Sequence, residues 1–289
     1  MVILEKFKAY WKKSCPKIDG KIHAELRGLK PYTPKRLYSA MEYALFTGGK
    51  RLRPVLCLAG AYVLGKEVTP ALLRLACSVE FVHTYSLIHD DLPALDNDDY
   101  RRGKLTCHKK FDEATAVLTG DALLTHAFEL ITGTKGVPAE RKVWIVNELV
   151  RAIGAGGMIG GQVVDLELIT KKKVLEKHIH YVYRHKTADL IRASIITGAI
   201  AAGAEADDIK RLSIYAENVG LAFQVQDDLL DYNEDVKAKR VTYPVVAGLN
   251  KTKDDLGIMV GNAKRVIKKY LPRADVLQGF AEFVINRDR

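Results

Sequence analysis

Apolar residues return every three or four positions along almost the whole chain. Leu72, Leu75, Ala76, Val79, Val82 and Leu87 form one such series, and Val143, Val146, Leu149, Val150 and Ile153 form another. Residues 181–200 and 209–230 behave in the same way. This spacing lays one apolar stripe along a helix, whereas the strict alternation of a strand is nearly absent. Turn residues punctuate the pattern roughly every 20–25 positions, within the usual range of helix lengths. The expectation is an all-α fold of ten or more helices, in one domain spanning residues 1–289. Small residues gather at 154–161 and 198–204, where close helix packing is the expected reason.

Composition narrows the function classes. Hydrophobic residues make up 48% and charged residues 28%, which excludes disorder and long coiled coils. The 45 Lys and Arg against 35 Asp and Glu leave a net charge of +10, suited to nucleic acid, an anionic membrane or a phosphorylated small molecule. The lysines are scattered, with no basic stripe or aromatic platform, which disfavours nucleic acid. No apolar run reaches the ~18 residues of a membrane span, so no membrane insertion is expected. Cys15, Cys57, Cys77 and Cys107 include no CxxC pair, so neither a disulfide framework nor a zinc site is expected. Charge follows three apolar residues at the amino end, unlike a secretory leader. A reducing cytoplasm is the expected location.

Chemistry concentrates in three places. The first is His89-Asp90-Asp91-Leu92-Pro93-Ala94-Leu95-Asp96-Asn97-Asp98-Asp99-Tyr100-Arg101-Arg102-Gly103. On an unbroken helix Asp90 and Asp96 would point about 240° apart. Pro93 breaks the helix between them and lets both carboxylates turn to one point. Leu92, Ala94 and Leu95 suggest that the cluster faces a cavity. The second place is 223–231, where Asp227 and Asp231 stack one turn apart with Gln224 on roughly the same face. Such stacked like charges need a cation, and hard oxygen donors without Cys or His suit Mg²⁺. Two acidic walls could clamp a diphosphate through several Mg²⁺ ions. The third place is Gly48-Gly49-Lys50-Arg51-Leu52-Arg53-Pro54, a natural anion site if a helix starts there with Lys50 and Arg53 on one face. It lacks the glycine and hydroxyl residue of a Walker A loop. His83 lies two turns before Asp90, and Arg101, Arg102 and Lys186 are further candidate cations.

Together, 48–54, 80–103, 160–166, His185-Lys186-Thr187 and 223–231 resemble trans-polyprenyl diphosphate synthases, in that family's order and spacing. The tail, 281–288, resembles that of bacterial farnesyl diphosphate synthases. The resemblance implies the isoprenoid-synthase helical bundle around a central cavity, usually a homodimer. It implies a trinuclear Mg²⁺ cluster on Asp90, Asp96, Asp227 and Asp231, binding an allylic diphosphate. Arg101, Lys186 and a lysine beyond the second motif would add charge to that group. Lys50, Arg53, His83 and Arg102 would bind isopentenyl diphosphate, while Thr187 and Gln224 would face the reacting carbons.

The segment between Asp231 and Thr242-Tyr243-Pro244 is shorter than the family's Gly- and Lys-containing loop. Lys237 and Lys239 are the candidates for the lysine usually found there. Tyr85 is the one ring among residues 84–89, with small Ser86 beside it, and the two are expected to set product length at C15. C20 is the runner-up, and C10 a minor product. A terpene cyclase would not need the 48–54 motif, His83 or Arg102. A non-catalytic partner subunit would be expected to lose aspartates.

Overall fold

The computed structural model describes residues 2–171, 173–238 and 240–287. Its helices are α1 (Val2–Leu29), α2 (Lys35–Phe46), α3 (Leu52–Tyr62), α4 (Pro70–Asp90), α5 (Cys107–Lys110), α6 (Glu113–Thr132) and α7 (Ala139–Ile153). They continue as α8 (Met158–Thr170), α9 (Glu176–Val182), α10 (Asp189–Ala202), α11 (Ala206–Ala238), α12 (Tyr243–Ala247), α13 (Leu249–Val266) and α14 (Asp275–Asn286). A π-helical turn, Tyr183–Ala188, joins α9 to α10. The described strands are β1 (Tyr100–Arg101) and β2 (Lys104–Leu105), an antiparallel pair closed by Arg102 and Gly103. Both turn residues have positive φ, as a two-residue hairpin of this twist requires. The all-α expectation holds.

Local chemistry explains several element boundaries. Thr69 caps α4 by accepting the Leu72 N–H at 3.1 Å, with Pro70 in the first turn. Asp112 caps α6 by accepting the Thr115 N–H at 2.6 Å. Gly203 ends α10 in the left-handed conformation.

Helix α3 sits between α4 and α10, α6 lies along α4, and α11 packs on α10 and α13. Helices α1 and α14 close the far side together. One apolar core runs through all of them, from Phe7 to Val284. The α3–α10 contact is backbone against backbone. A Cβ on Gly60 would stand 2.1 Å from the Ile195 carbonyl oxygen, and one on Gly198 only 1.8 Å from that of Cys57. The packing role expected for the glycines near 198 is therefore met here.

Two sequence expectations change. In α7 the period is right but the phase is rotated: Ile145, Leu149, Ala152 and Ile153 are buried, while Val143 and Val150 are exposed. Beyond Asp231 most of the short segment is helix rather than loop, because α11 continues unbroken to Ala238. Lys237 is exposed at its end, and Lys239 lies outside the described residues. The four cysteines are free, as expected. Helix α4 is long and apolar enough to cross a membrane by hydropathy alone, as is the stretch Ala139–Ile169. In α4 that window is 72% buried inside the protein, which marks a core helix.

Gly198→Ala should push α3 and α10 apart and cost about 1–3 kcal/mol of stability. Urea unfolding checks this, and an unchanged midpoint would mean that the two backbones separate freely.

Candidate active site

The first acidic wall is built by the end of α4. The chain turns after Asp90, and Asn97 takes a positive φ. The Asp96 N–H then donates back to the Asp90 carbonyl at 2.9 Å. Asp96 thus returns to Asp90, as the proline break predicted, although Ala94 is exposed rather than turned to a cavity. Burial pushes the Asp90 carboxyl up to about 6; Asp96 adds to the rise, while Lys186 and Arg101 oppose it. Neighbouring Asp91 has a different task. It is buried and pairs with Arg101 at 2.5 Å, and Arg101 also reaches Asp98 at 3.2 Å. Arg101 is therefore held by aspartates beside the expected allylic site, close enough to Asp90 to stabilise its charge.

The second wall lies on α11. Asp227 pairs with Arg287 at 2.6 Å. That guanidinium also donates to the Phe223 carbonyl at 2.6 Å and lies 3.7 Å over the Phe223 ring. Burial raises the Asp227 carboxyl, Arg287 and Lys50 pull it down, and Asp231 pushes it up. Asp231 itself is exposed. Asp228 turns into the protein and accepts the Tyr243 N–H at 3.1 Å, and burial drives its carboxyl up to about 7. In both motifs, one aspartate faces the site and the next supports the scaffold.

The π-helical turn links the two walls. Its wider winding presents Lys186 and Thr187 consecutively, and such turns recur at functional sites. Lys186 pairs with Asp165 of α8 at 2.6 Å and is the strongest charge opposing the rise at Asp90. The Thr187 hydroxyl donates to Gln224 Oε1 on α11 at 2.9 Å. Gly161 makes this approach possible, since a Cβ there would stand 2.4 Å from the Lys186 nitrogen. The result is a connected path from Asp90 through Lys186, Thr187 and Gln224 to the helix turn carrying Asp227.

The basic site is separate. Arg53 Nη1 donates to His83 Nε2 at 3.1 Å. This fits a neutral His83, whose pKa is driven well below 6.5 by burial and by Arg53, Arg102, Arg101 and Arg51. Burial lowers Arg53 to about 10, and its Nε is buried without a protein partner. Arg102 donates to the Gly48 carbonyl. The glycine pair is explained by this contact: Gly48 and Gly49 have φ of +109° and +138°, and a Cβ on Gly49 would stand 2.5 Å from the Arg102 Nη1. The expected helical pairing of Lys50 with Arg53 is not formed, because α3 begins only at Leu52. Arg51, in the left-handed region, turns inward to Glu80 at 2.7 Å and Asp19 at 2.8 Å.

Tyr85 is buried, meets His89 edge-on at 5.7 Å and has a buried hydroxyl without a partner. Burial and the Asp90 charge raise that hydroxyl to about 12. The Ser86 hydroxyl donates to the His83 carbonyl at 3.0 Å.

Sequence reasoning missed Asp165, Arg287 and the inward role of Arg51. Asp165 and Arg287 fall in segments 160–166 and 281–288, which resemble the family, but their charge partners lie outside those stretches of sequence. Only the three-dimensional pairing reveals what they do.

The acidic donors are all hard oxygens, which suit Mg²⁺. Among the described residues no three His, Cys, Asp or Glu side chains stand as one metal-binding group. Lys186 and Arg287 instead place positive charge at the two walls.

The family description "Polyprenyl synthetase" matches residues 34–266. The chain belongs to the polyprenyl synthetase family. It is 44% identical over 266 residues to a dimethylallyltranstransferase of Fischerella ambigua, covering 88% of this chain and 77% of that protein. It is 42% identical to a farnesyl diphosphate synthase of Bacillus subtilis, covering 88% and 90%. A solved apo structure of an FPP/GFPP synthase from Zymomonas mobilis matches with a TM-score of 0.88 at 35% identity, covering 98% and 99%. This polyprenyl synthetase is a short-chain prenyltransferase with the isoprenoid-synthase helical fold. Its curated relatives divide between farnesyl and geranylgeranyl diphosphate synthases.

The Asp90 environment yields a pH test on metal-free protein. Its folded pKa of about 6 lies above the ordinary aspartate value of about 3.8, so the folded chain holds the proton more tightly. Stability contributed by this group is present below about pH 4 and lost as pH rises toward 6. Asp90→Asn should therefore be more stable than the parent above pH 6, by on the order of 1–3 kcal/mol, and equal to it near pH 4. Urea titrations at both pH values check this, and a gap that widens on acidification would contradict it.

Proposed function

We propose that this prenyltransferase condenses isopentenyl diphosphate with dimethylallyl and then geranyl diphosphate, releasing farnesyl diphosphate (C15) and diphosphate. The observation that carries this reading is the presence of two differently built sites. One gathers acidic side chains and Lys186, while the other gathers Arg53, His83 and Arg102 around the glycine pair. A terpene cyclase, with one diphosphate to bind, has no use for the second set. A non-catalytic subunit has no use for two complete acidic walls.

Asp90, Asp96, Asp227 and Asp231 are the residues that would hold Mg²⁺, three ions per site in our reading. Bound Mg²⁺ would stabilise the negative charge of the departing diphosphate. Lys186 and Arg101 would contribute to the same end from the protein side, aimed where charge develops. Ionisation of the allylic C–O bond leaves a carbocation, which the double bond of isopentenyl diphosphate attacks before a proton leaves the adduct. Lys50, Arg53, His83 and Arg102 would hold that second substrate in line, converting a two-body encounter into an oriented one. Thr187 and Gln224, joined to each other, would border the reacting carbons. Departed diphosphate can accept the proton, so no side-chain base is required.

We assign chain length to Tyr85, whose ring lies upstream of Asp90 on the helix along which the tail would grow, with Ser86 leaving room beside it. C20 is the alternative product, since relatives of both kinds resemble this chain equally well. We further propose a homodimer formed through α6 and α7. Leu118 at 59% and Val143 at 70% exposure are apolar side chains there that a second copy would cover.

Incubation with Mg²⁺, isopentenyl diphosphate and dimethylallyl diphosphate should yield mainly C15 products. No condensation at all would refute the reading. Tyr85→Ala should lengthen the product to C20 or beyond, and a product still ending at C15 would show that another residue sets the depth. Asp90→Ala or Asp227→Ala should abolish turnover; activity within about tenfold of the parent, a barrier change of about 1.4 kcal/mol, would remove that aspartate from the metal site.

A further inference from the structure

The 48–51 loop does not determine its own shape. Gly48, Gly49 and Arg51 all have positive φ, and the α3 hydrogen-bond ladder starts only at the Arg51 carbonyl, which accepts the Val55 N–H at 3.1 Å. One face of α1 supports this loop, beside the Arg102 contact at the Gly48 carbonyl and the Arg51 pair with Glu80. Trp11 Nε1–H donates to the Lys50 carbonyl at 2.6 Å. Cys15 Sγ lies 3.9 Å from the same oxygen. Asp19 accepts from Arg51 Nε at 2.8 Å. Residues 11, 15 and 19 are spaced by four, so they form a single stripe along the helix.

Trp11 is itself fixed from behind. Its ring stacks on Phe7 at 5.6 Å and meets Phe283 of α14 edge-on at 5.3 Å. Phe7 in turn packs on Phe280. The indole N–H is thus a donor on a rigid aromatic platform, and the loop carbonyl docks onto it. The Lys50 charge reaches the Asp227 carboxyl, so the conformation of this loop decides where a site cation stands. Trp11 lies outside residues 34–266, which carry the family match.

We propose that Trp11 is a positioning residue for the isopentenyl diphosphate site, acting through the Lys50 carbonyl. This rests on the assignment of Lys50 to that site made above. Holding the carbonyl sets the direction in which the Lys50 side chain leaves the loop. Without the N–H the glycine-rich segment samples other conformations, and the lysine spends less time on the substrate diphosphate. The allylic site, built by α4, α11 and the π-helical turn, feels the loop only through the Lys50 charge at Asp227, so its dependence is weaker.

The test is Trp11→Phe, which keeps an aromatic ring on the Phe7 and Phe283 platform and removes the donor. The Michaelis constant for isopentenyl diphosphate should rise about 3- to 12-fold, the loss expected for one hydrogen bond, with kcat and the allylic constant within about twofold. Calorimetric titration of isopentenyl diphosphate, without metal or allylic substrate, should show the same loss of affinity. It is run at a temperature where circular dichroism shows both proteins fully folded. An unchanged constant for isopentenyl diphosphate, or equal rises for both substrates, would overturn the proposal. Lys50→Ala separates the two layers of the argument. If it weakens isopentenyl diphosphate while Trp11→Phe does not, the positioning role fails and the site assignment stands. If Lys50→Ala leaves that constant unchanged, the site assignment itself fails.

Discussion

Like charges crowded into a half-buried space are the constraint on which the rest of this structure depends. Asp90, Asp91 and Asp96 stand together at the end of α4, and Arg53, Arg101 and Arg102 converge on His83. Burial and neighbouring carboxylates oppose ionisation of Asp90 and Asp91, and burial depresses Arg53 and His83. The fold answers by giving every second charge a partner in the scaffold. Asp91 takes Arg101, Asp228 takes the Tyr243 N–H, and Arg51 takes Glu80. Successive residues on a helix point about 100° apart, so an Asp-Asp pair naturally divides between scaffold and site. Asp90, Arg53 and Arg102 remain turned toward ligands, while Asp227 faces the site already paired with Arg287.

The π-helical turn is where separate helices become one site. Lys186 and Thr187 are adjacent in sequence but serve different walls, one beside Asp90 and the other bonded to Gln224. Gly161 and Gly220 flank this turn, and a Cβ at either position would collide with it. Gly161, which reads as plain packing in the sequence, therefore also sets, with Gly220, the distance across which the two walls cooperate.

The ends of the chain meet the site from outside the family-matched region. Arg287, just past α14, occupies Asp227 and stacks on Phe223, while α1 holds the glycine loop through Trp11 and Asp19. Since α1 and α14 pack on each other through Phe7 and Phe280, both contacts rest on the same aromatic cluster. The basic loop and the second acidic wall are thereby referenced to one rigid support.

Much of this was legible in the sequence because it is local. A period of three to four residues determines helices wherever it runs, and Pro93 ends α4 so that Asp96 folds back beside Asp90, whatever the surroundings. The identity of the acidic donors follows likewise from side-chain chemistry, whereas the need for glycine at 48 and 49 shows only in the folded chain, where Arg102 lies against the pair. Tertiary structure decided what depends on partners distant in sequence. The buried face of α7 was rotated from the apolar stripe because a stripe wider than one contact surface does not specify which part is covered. The stretch after Asp231 became helix because α11 packs along α13 and Asp228 pins Tyr243. Arg51 went inward to pair with Glu80 and Arg102 to the Gly48 carbonyl, though both are basic residues beside a turn, and only the fold separates them. Sequence determines which charges exist and which can share a helix face; the fold alone determines which of them is already neutralised by a partner, since that depends on distances between segments far apart in the chain.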